Sequence, residues 1–406
     1  MSLKELHRMR RDVTLLITSR AVRSLAFGYL TFVIPLYLKS IGFSATLVGL
    51  YFFVAAISSA TLVLVSGFLG DLIGRRDALI IMSSLFVASM AIFSITSNKV
   101  LLFITSLLGT ATGSAGGGGA GGGPVAPLQT SLLADNTEPT ERTRVFSLTT
   151  SIALLSSLMG SLISYVILSL SLGDLTLFRL SLALSIVSIA LLALVRRDRP
   201  RIKSLSINEV LPRRSSRPIT RIAIAGSLGS LGLGMVTPLL PLWFSLFLHA
   251  SEVEINEVYT ASYIVSIILT LLARRVEGLM GRVRAIALLR SISVSLFIIM
   301  ALIPVFVIDA ALYVIRVALY MITIPLRQSL SMEIIDESER ARGLSITGLA
   351  RRVPYGLGST VAGLLMDYAE FSLSMILGGV IALLDPILYY VFFRHYDRRA
   401  HGEDGE

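Results

Sequence analysis

Stretches of about twenty apolar residues recur along this chain, and no other property limits its fold more. A helix rises about 1.5 Å per residue, so each stretch matches the roughly 30 Å hydrocarbon layer of a bilayer. Hydropathy places them near residues 13–38, 45–69, 77–96, 100–133, 145–168, 175–195, 221–247, 256–273, 285–304, 309–330, 345–366 and 373–393. Inside a bilayer the backbone must satisfy its own hydrogen bonds, so the stretches read as helices. The expected class is an all-α polytopic membrane protein with 12 transmembrane helices. The chain is 15% charged, where soluble domains are nearer about 25%. The opening MSLKELHRMRRD is basic like a signal peptide. The apolar run after it is too long and has no Ala-x-Ala site, so it reads as a retained first helix.

Positive residues orient the spans. With both termini inside, the inner segments hold Lys4, Arg8, Arg10, Arg11, Arg75, Arg76, Arg142, Arg144 and nine basic residues from Arg196 to Arg221. Arg274, Arg275, Arg282, Arg284, Arg327, Arg340, Arg342, Arg394, Arg398 and Arg399 fall on the same side, which makes 27 of the 36 basic residues. The outer loops offer Lys39 and Lys99 beside acids such as Glu252, Glu254, Glu257, Asp309 and Glu370. The expected location is the cell membrane with both termini cytoplasmic. The net charge of +10 then reflects topology and attraction to anionic lipid, with no call for nucleic acid.

The basic stretch 196–220 separates six spans from six. The expected organisation is an N-terminal bundle at 1–195, a basic linker at 196–220, a C-terminal bundle at 221–394 and a tail at 395–406. The halves repeat. Gly28, Thr31, Pro35 and Leu36 return as Gly234, Thr237, Pro241 and Leu242, at an offset of 206. PLQTSLLADNTEPTERTRVFS (127–147) returns as PLRQSLSMEIIDESERARGLS (325–345), at an offset of 198. Parallel repeats of six helices are a transporter architecture with its substrate site near the midplane.

Between spans 2 and 3 lies GFLGDLIGRR, with Gly67, Gly70, Asp71, Gly74, Arg75 and Arg76. Together with twelve spans, the repeat and the central linker, it resembles the G-x-x-x-D-x-x-G-R-R/K signature of the major facilitator superfamily. The resemblance covers almost the whole chain. It implies two six-helix bundles related by a pseudo-two-fold, a cavity lined by helices 1, 4, 7 and 10, and a peripheral helix 12. It also implies that the signature loop latches the cytoplasmic side during alternating access. The second-half counterpart, ARRVEGLMGRVR, keeps Gly281 and Arg282 but not the Gly…Asp spacing. Two departures stand out. The family's helix-4 arginine is Thr105 here, ahead of Gly109 and Gly113, and the helix-5 antiporter pattern is reduced to Gly160.

Charges at bilayer depth are costly and point to function. Arg20 and Arg23 in span 1 and Arg316 in span 10 are candidate substrate-binding residues. Snorkelling of Arg20 and Arg316 to headgroups, or a structural ion pair, is the alternative. Tyr29 is a candidate for stacking on substrate, as are Tyr37 and Trp243, with interfacial anchoring as the alternative. Asp385 is the acid nearest the middle of a span and the candidate proton carrier, with a structural bond to Arg290 as the competing role. Arg351, Arg352 and Arg179 read as interfacial.

The tract GSAGGGGAGGGP (113–124) lacks the Gly-Lys-Ser/Thr that would make it a phosphate loop. By the repeat it is an insertion in span 4. Gly116, Gly117, Gly118 and Gly119 mark a hinge or a stretch of bare amides lining the cavity beside Arg23, with close helix contact through small residues as the alternative.

Cysteine is absent and there are four histidines, placed in tails or at a loop edge, so no metal site or bound cofactor is expected beyond a coupling ion such as a proton. No Gly-x-Ser-x-Gly or His-Glu-x-x-His occurs, so no enzyme activity is expected. The expected function is secondary transport of a small solute, taken as an organic anion because the cavity candidates are basic. The expected partners are that solute and membrane lipid, with the chain a monomer. Proton-coupled multidrug efflux is the alternative, and a non-transporting sensor a remote one.

Overall fold

The computed structural model describes residues 3–109, 123–138, 141–198, 215–336 and 340–400. Gly116 to Gly119, residues 199–214 of the linker and residues 401–406 lie outside these. Every regular element among the described residues is a helix. They are α1 (Leu3–Ser40), α2 (Ala45–Ile73), α3 (Arg75–Ile95), α4 (Lys99–Ile104), α5 (Val125–Asp135), α6 (Arg142–Ser169), α7 (Asp174–Ala193) and α8 (Ser216–Val236). A short turn, α9 (Leu240–Leu242), and a π-helical segment, Trp243–Phe247, extend α8. Then come α10 (Glu252–Thr270), α11 (Ala273–Met280), α12 (Arg282–Leu302), α13 (Phe306–Ile334), α14 (Arg340–Asp367), α15 (Phe371–Phe393) and α16 (His395–Ala400).

Nine helical spans among the described residues are long and apolar enough to cross a membrane, or ten if α10 and α11, bent by 54°, form one. The difference between nine and twelve has three sources, of which the bend between α10 and α11 is one. At 28 residues α14 is long enough to cross, but it carries Arg351 and Arg352 midway along its length. The fourth stretch passes through residues outside the described ones. What is described of it is α4, a 3₁₀ turn at Thr105–Leu108 and a left-handed Gly109.

Contacts divide the chain into two compact units, one of residues 1–42 with 54–204 and one of residues 43–53 with 205–406. In the first unit α1 packs on α6 and α7, and α3 on α7 and α5. Where α1 crosses α6, a Cβ on Gly28 would collide with the Ser157 backbone, and one on Gly160 with the Leu25 backbone. Glycine is needed there because backbone meets backbone. The second unit repeats the crossing between α8 and α14: Gly234 lies against the Tyr355 backbone and Gly358 against that of Leu231. Gly28 and Gly234 are partners at the 206-residue offset, and Gly160 and Gly358 at the 198-residue offset. The repeat seen in sequence is thus a repeated helix crossing.

The start of α2 belongs to the second unit. Asp367, the last residue of α14, accepts from the amides of Ala45 (2.7 Å) and Thr46 (2.8 Å) and from the Thr46 hydroxyl (2.6 Å). These are the orphan donors of a helix N-terminus, which an anion suits best.

Candidate functional site

Each unit carries a clasp built on a glycine and a distant aspartate. Gly74 has φ of 96°, a backbone state that favours glycine, and it turns the chain directly from α2 into α3. Asp198 then accepts from the amides of Arg75 (2.7 Å) and Arg76 (2.9 Å). The Arg75 guanidinium bonds Asp135 at 2.5 Å, and Arg76 bonds Asp77 and the Ala193 carbonyl. In the second unit Gly281 has φ of 83°, and Asp397 accepts from the amides of Val283 (2.8 Å) and Arg284 (2.9 Å). Arg282 bonds Glu333 at 2.6 Å and Glu277 at 2.6 Å. Asp135 and Glu333 are the acids that the repeat pairs. Asp71, the signature's acid, is half-buried and makes no hydrogen bond or ion pair among the described residues. Gly70 packs against Leu128, while a Cβ on Gly67 would meet open space.

Inside the first unit Arg23 is 6% exposed and donates to the Gln129 side chain at 3.3 Å. Gln129 in turn donates to the Leu16 carbonyl at 3.0 Å. Arg20, one turn away on α1, is half-buried, and its Nε has no partner. Tyr29 is fully buried between α1 and α7, its hydroxyl shared with Ser181 at 2.7 Å and the Leu177 carbonyl at 3.2 Å. Tyr37 packs edge-on to Phe178.

The second unit is organised along one face of α13. Asp309, Tyr313, Arg316, Tyr320, Thr323 and Arg327 follow one another at alternating steps of four and three, so all six lie on one helical stripe. At one end Arg327 grips Asp385 of α15 through both guanidinium nitrogens, each at 3.0 Å. Arg290 of α12 bonds the same carboxylate at 2.5 Å and Thr323 at 3.0 Å. The expected bond between Asp385 and Arg290 is therefore present, with Arg327 as a second cation. Tyr320 and Tyr389 cover the guanidiniums of Arg290 and Arg327 at 4.5 and 4.7 Å. Such a buried pair satisfies its charges only if the geometry is complete, and here it is.

Midway along the stripe Arg316 is 5% exposed. Its guanidinium lies 4.3 Å from the Phe297 ring centroid and 5.4 Å from that of Tyr320, and its Nε has no hydrogen-bond partner. Arg351 of α14, read from sequence as interfacial, is packed against Gly226, whose missing side chain makes room for it, and donates to Ser230 at 3.3 Å. Gly229 makes the same room for Asp385. Three arginines, Arg290, Arg327 and Arg351, thus gather near one aspartate that two of them already hold, while Arg316 stands farther along the stripe.

Asp309 is a further correction. It reads from sequence as an outer-loop acid, but α13 begins at Phe306, so Asp309 lies in the first turn and is fully buried. Trp243 donates its indole N–H to Asp309 Oδ2 at 2.8 Å. Oδ1 has no partner. The four-three stripe is visible in the sequence and would place Asp309 with Arg316; the loop boundary conceals it.

A family model described as Major Facilitator Superfamily matches residues 16–221 and again residues 222–406. No curated protein sequence matches. Solved structures superpose over nearly the whole chain. One is the nucleoside transporter NupG, with TM-score 0.73 at 11% identity, covering 94% of this chain and 100% of that one. A D-xylose–proton symporter gives 0.72 at 17% identity, with 94% and 98% covered. The human organic anion transporter MFSD10 (TETRAN) gives 0.65 at 14%, with 94% and 99% covered. At these identities the likeness is one of fold.

Proposed function

The chain belongs to the major facilitator superfamily, and from that premise we propose that it carries a small organic anion across the membrane by alternating access. The observation behind the anion is Arg316. A buried guanidinium with an unpartnered nitrogen, among aromatic rings, is costly unless an anion completes it. The buried acids of its own unit do not serve, because Asp385 is bound to Arg290 and Arg327 and Asp309 is held by Trp243 two turns away along α13. Phe297 and Tyr320 give a planar solute faces to stack on, and Arg351 adds positive potential. Arg20 and Arg23 add a second basic site in the first unit. The solved structure described as an organic anion transporter is consistent with this reading, at an identity where it cannot carry it.

Asp385 serves better as a tie between helices than as a proton carrier, since a proton there would strip two buried guanidiniums of their counter-charge. The distribution of arginine supports a cell-membrane protein with both termini cytoplasmic. The test is a stabilisation screen of the purified protein with anionic, neutral and cationic solutes, since a ligand of the folded state raises its apparent stability. Organic anions are expected to raise the unfolding temperature, with the shift lost in Arg316→Gln. Stabilisation by cations alone would contradict the reading.

A further inference from the structure

Asp309 and Arg316 lie seven residues apart on one face of α13, about 10 Å along the axis. Each is buried and each keeps one atom unpartnered, Oδ1 of Asp309 and Nε of Arg316. Two opposite charges on one stripe could have been placed to neutralise each other. Here they are held two turns apart, with the ring of Tyr313 on the same face between them. What is missing at Arg316 is an anion; what is missing at Asp309 is a cation.

We propose that Asp309 is the proton-binding carboxylate of this transporter, and that its proton travels with the anion held at Arg316. The coupling clause rests on the anion reading; proton binding at Asp309 does not.

A metal cation at this place would need several oxygen ligands. Asp309 has for company the indole of Trp243 and, on its own helix one turn to either side, the rings of Phe306 and Tyr313, both edge-on to Phe244. A proton needs one oxygen, and Oδ1 is that oxygen. In the step itself a water or hydronium outside gives up H⁺, an O–H bond forms at Oδ1, and the carboxyl is neutral. Release returns the proton to water, with no other bond made or broken. A neutral carboxyl beside an indole donor is a cheap group to bury, and a carboxylate there is an expensive one. Loading therefore removes a cost while the anion removes the matching one at Arg316.

The titratable and charged groups around Asp309 are few among the described residues. Its own helix presents Tyr313 and Arg316. From α10 comes Tyr259, whose ring lies 5.3 Å from that of Tyr313; Glu254 of that helix closes a capping box with Ser251. From α12 comes Arg290, committed to Asp385. Glu252 and Glu257 also belong to α10, whereas Arg274, Arg275 and Glu277 of α11 lie with the other end of α13, where Ala273 packs with Leu326 and Leu330. The only tryptophan of the chain is the one bonded to Asp309, which makes its emission a reporter of this carboxyl.

The experiment is a fluorescence titration of the purified full chain from mildly acidic to alkaline pH, with no solute present. The emission of Trp243 is expected to change reversibly along a single curve. In Asp309→Asn, which keeps an acceptor for the indole but cannot change charge, the curve is expected to flatten. Should that variant fail to fold, Asp309→Glu retains the acid and is expected to titrate at a displaced midpoint. The infrared C=O band of a protonated carboxyl is expected to move in the same variant. A flat curve in the unsubstituted protein, or one unaltered in Asp309→Asn, overturns the proposal. With no solute in the sample, the outcome is independent of whether the cargo is an anion.

Discussion

The same interface is charged in opposite ways in the two units. In the first, the cation comes from α1: Arg23 reaches Gln129 on α5. In the second, Gly229 stands where the 206-residue offset puts Arg23, and Arg327 stands where the 198-residue offset puts Gln129. The positive charge has moved from one helix to the other, and Asp385 has come in over the glycine to hold it. Arg20 likewise becomes Gly226, and Arg351 occupies the space. The helix crossings are shared, while the charges laid over them differ. A scaffold common to both halves thus carries a neutral partner for its arginine in one half and an ion-paired cluster in the other.

The largest effect that would break this comparison lies at Asp385. Removing one partner of a buried pair leaves uncompensated charge and costs about 3–5 kcal/mol. Asp385→Ala is therefore expected to lower the unfolding temperature in detergent more than Gln129→Ala, which loses the bonds to Arg23 and Leu16, about 1 kcal/mol each. Equal losses would show that the two interfaces are alike after all.

Next come the glycines that the halves share. Gly28→Ala and Gly234→Ala each force a methyl into a facing backbone, and overpacking of this kind costs roughly 1–3 kcal/mol. Similar losses of thermal stability in the two variants are expected; tolerance of either would uncouple the crossings. The smallest effects are at the clasps. Asp198→Ala and Asp397→Ala each remove a carboxylate from a helix N-terminus, worth about 1 kcal/mol. Hydrogen exchange at the starts of α3 and α12 should rise in the matching variant alone.

Much of this architecture is legible in the sequence because apolar length and a two-offset repeat are properties of the chain itself. The offsets that align Gly28 with Gly234 and Gly160 with Gly358 locate both crossings. What escapes is whatever depends on distant partners. Asp198 and Asp397 lie more than a hundred residues from the amides they cap, so the second clasp looks lost in a sequence where only Gly281 and Arg282 remain near it. The packing of Arg351 depends on the absence of a side chain at Gly226, on another helix. Arg327 reads as a loop-side charge, because Asp385 is invisible as its partner until α13 and α15 are packed. The glycine tract at 116–119 lies outside the described residues.

The anion at Arg316 is the claim on which the account turns, and solute counterflow tests it most directly. Proteoliposomes loaded with an organic anion selected by stabilisation are given a trace of the same anion, labelled, outside. The account predicts accumulation of label by the unsubstituted protein. A lost charge-assisted bond of about 1.5–3 kcal/mol would cut it roughly tenfold or more in Arg316→Gln. Undiminished counterflow in Arg316→Gln, or counterflow of cationic solutes in place of anions, would contradict it.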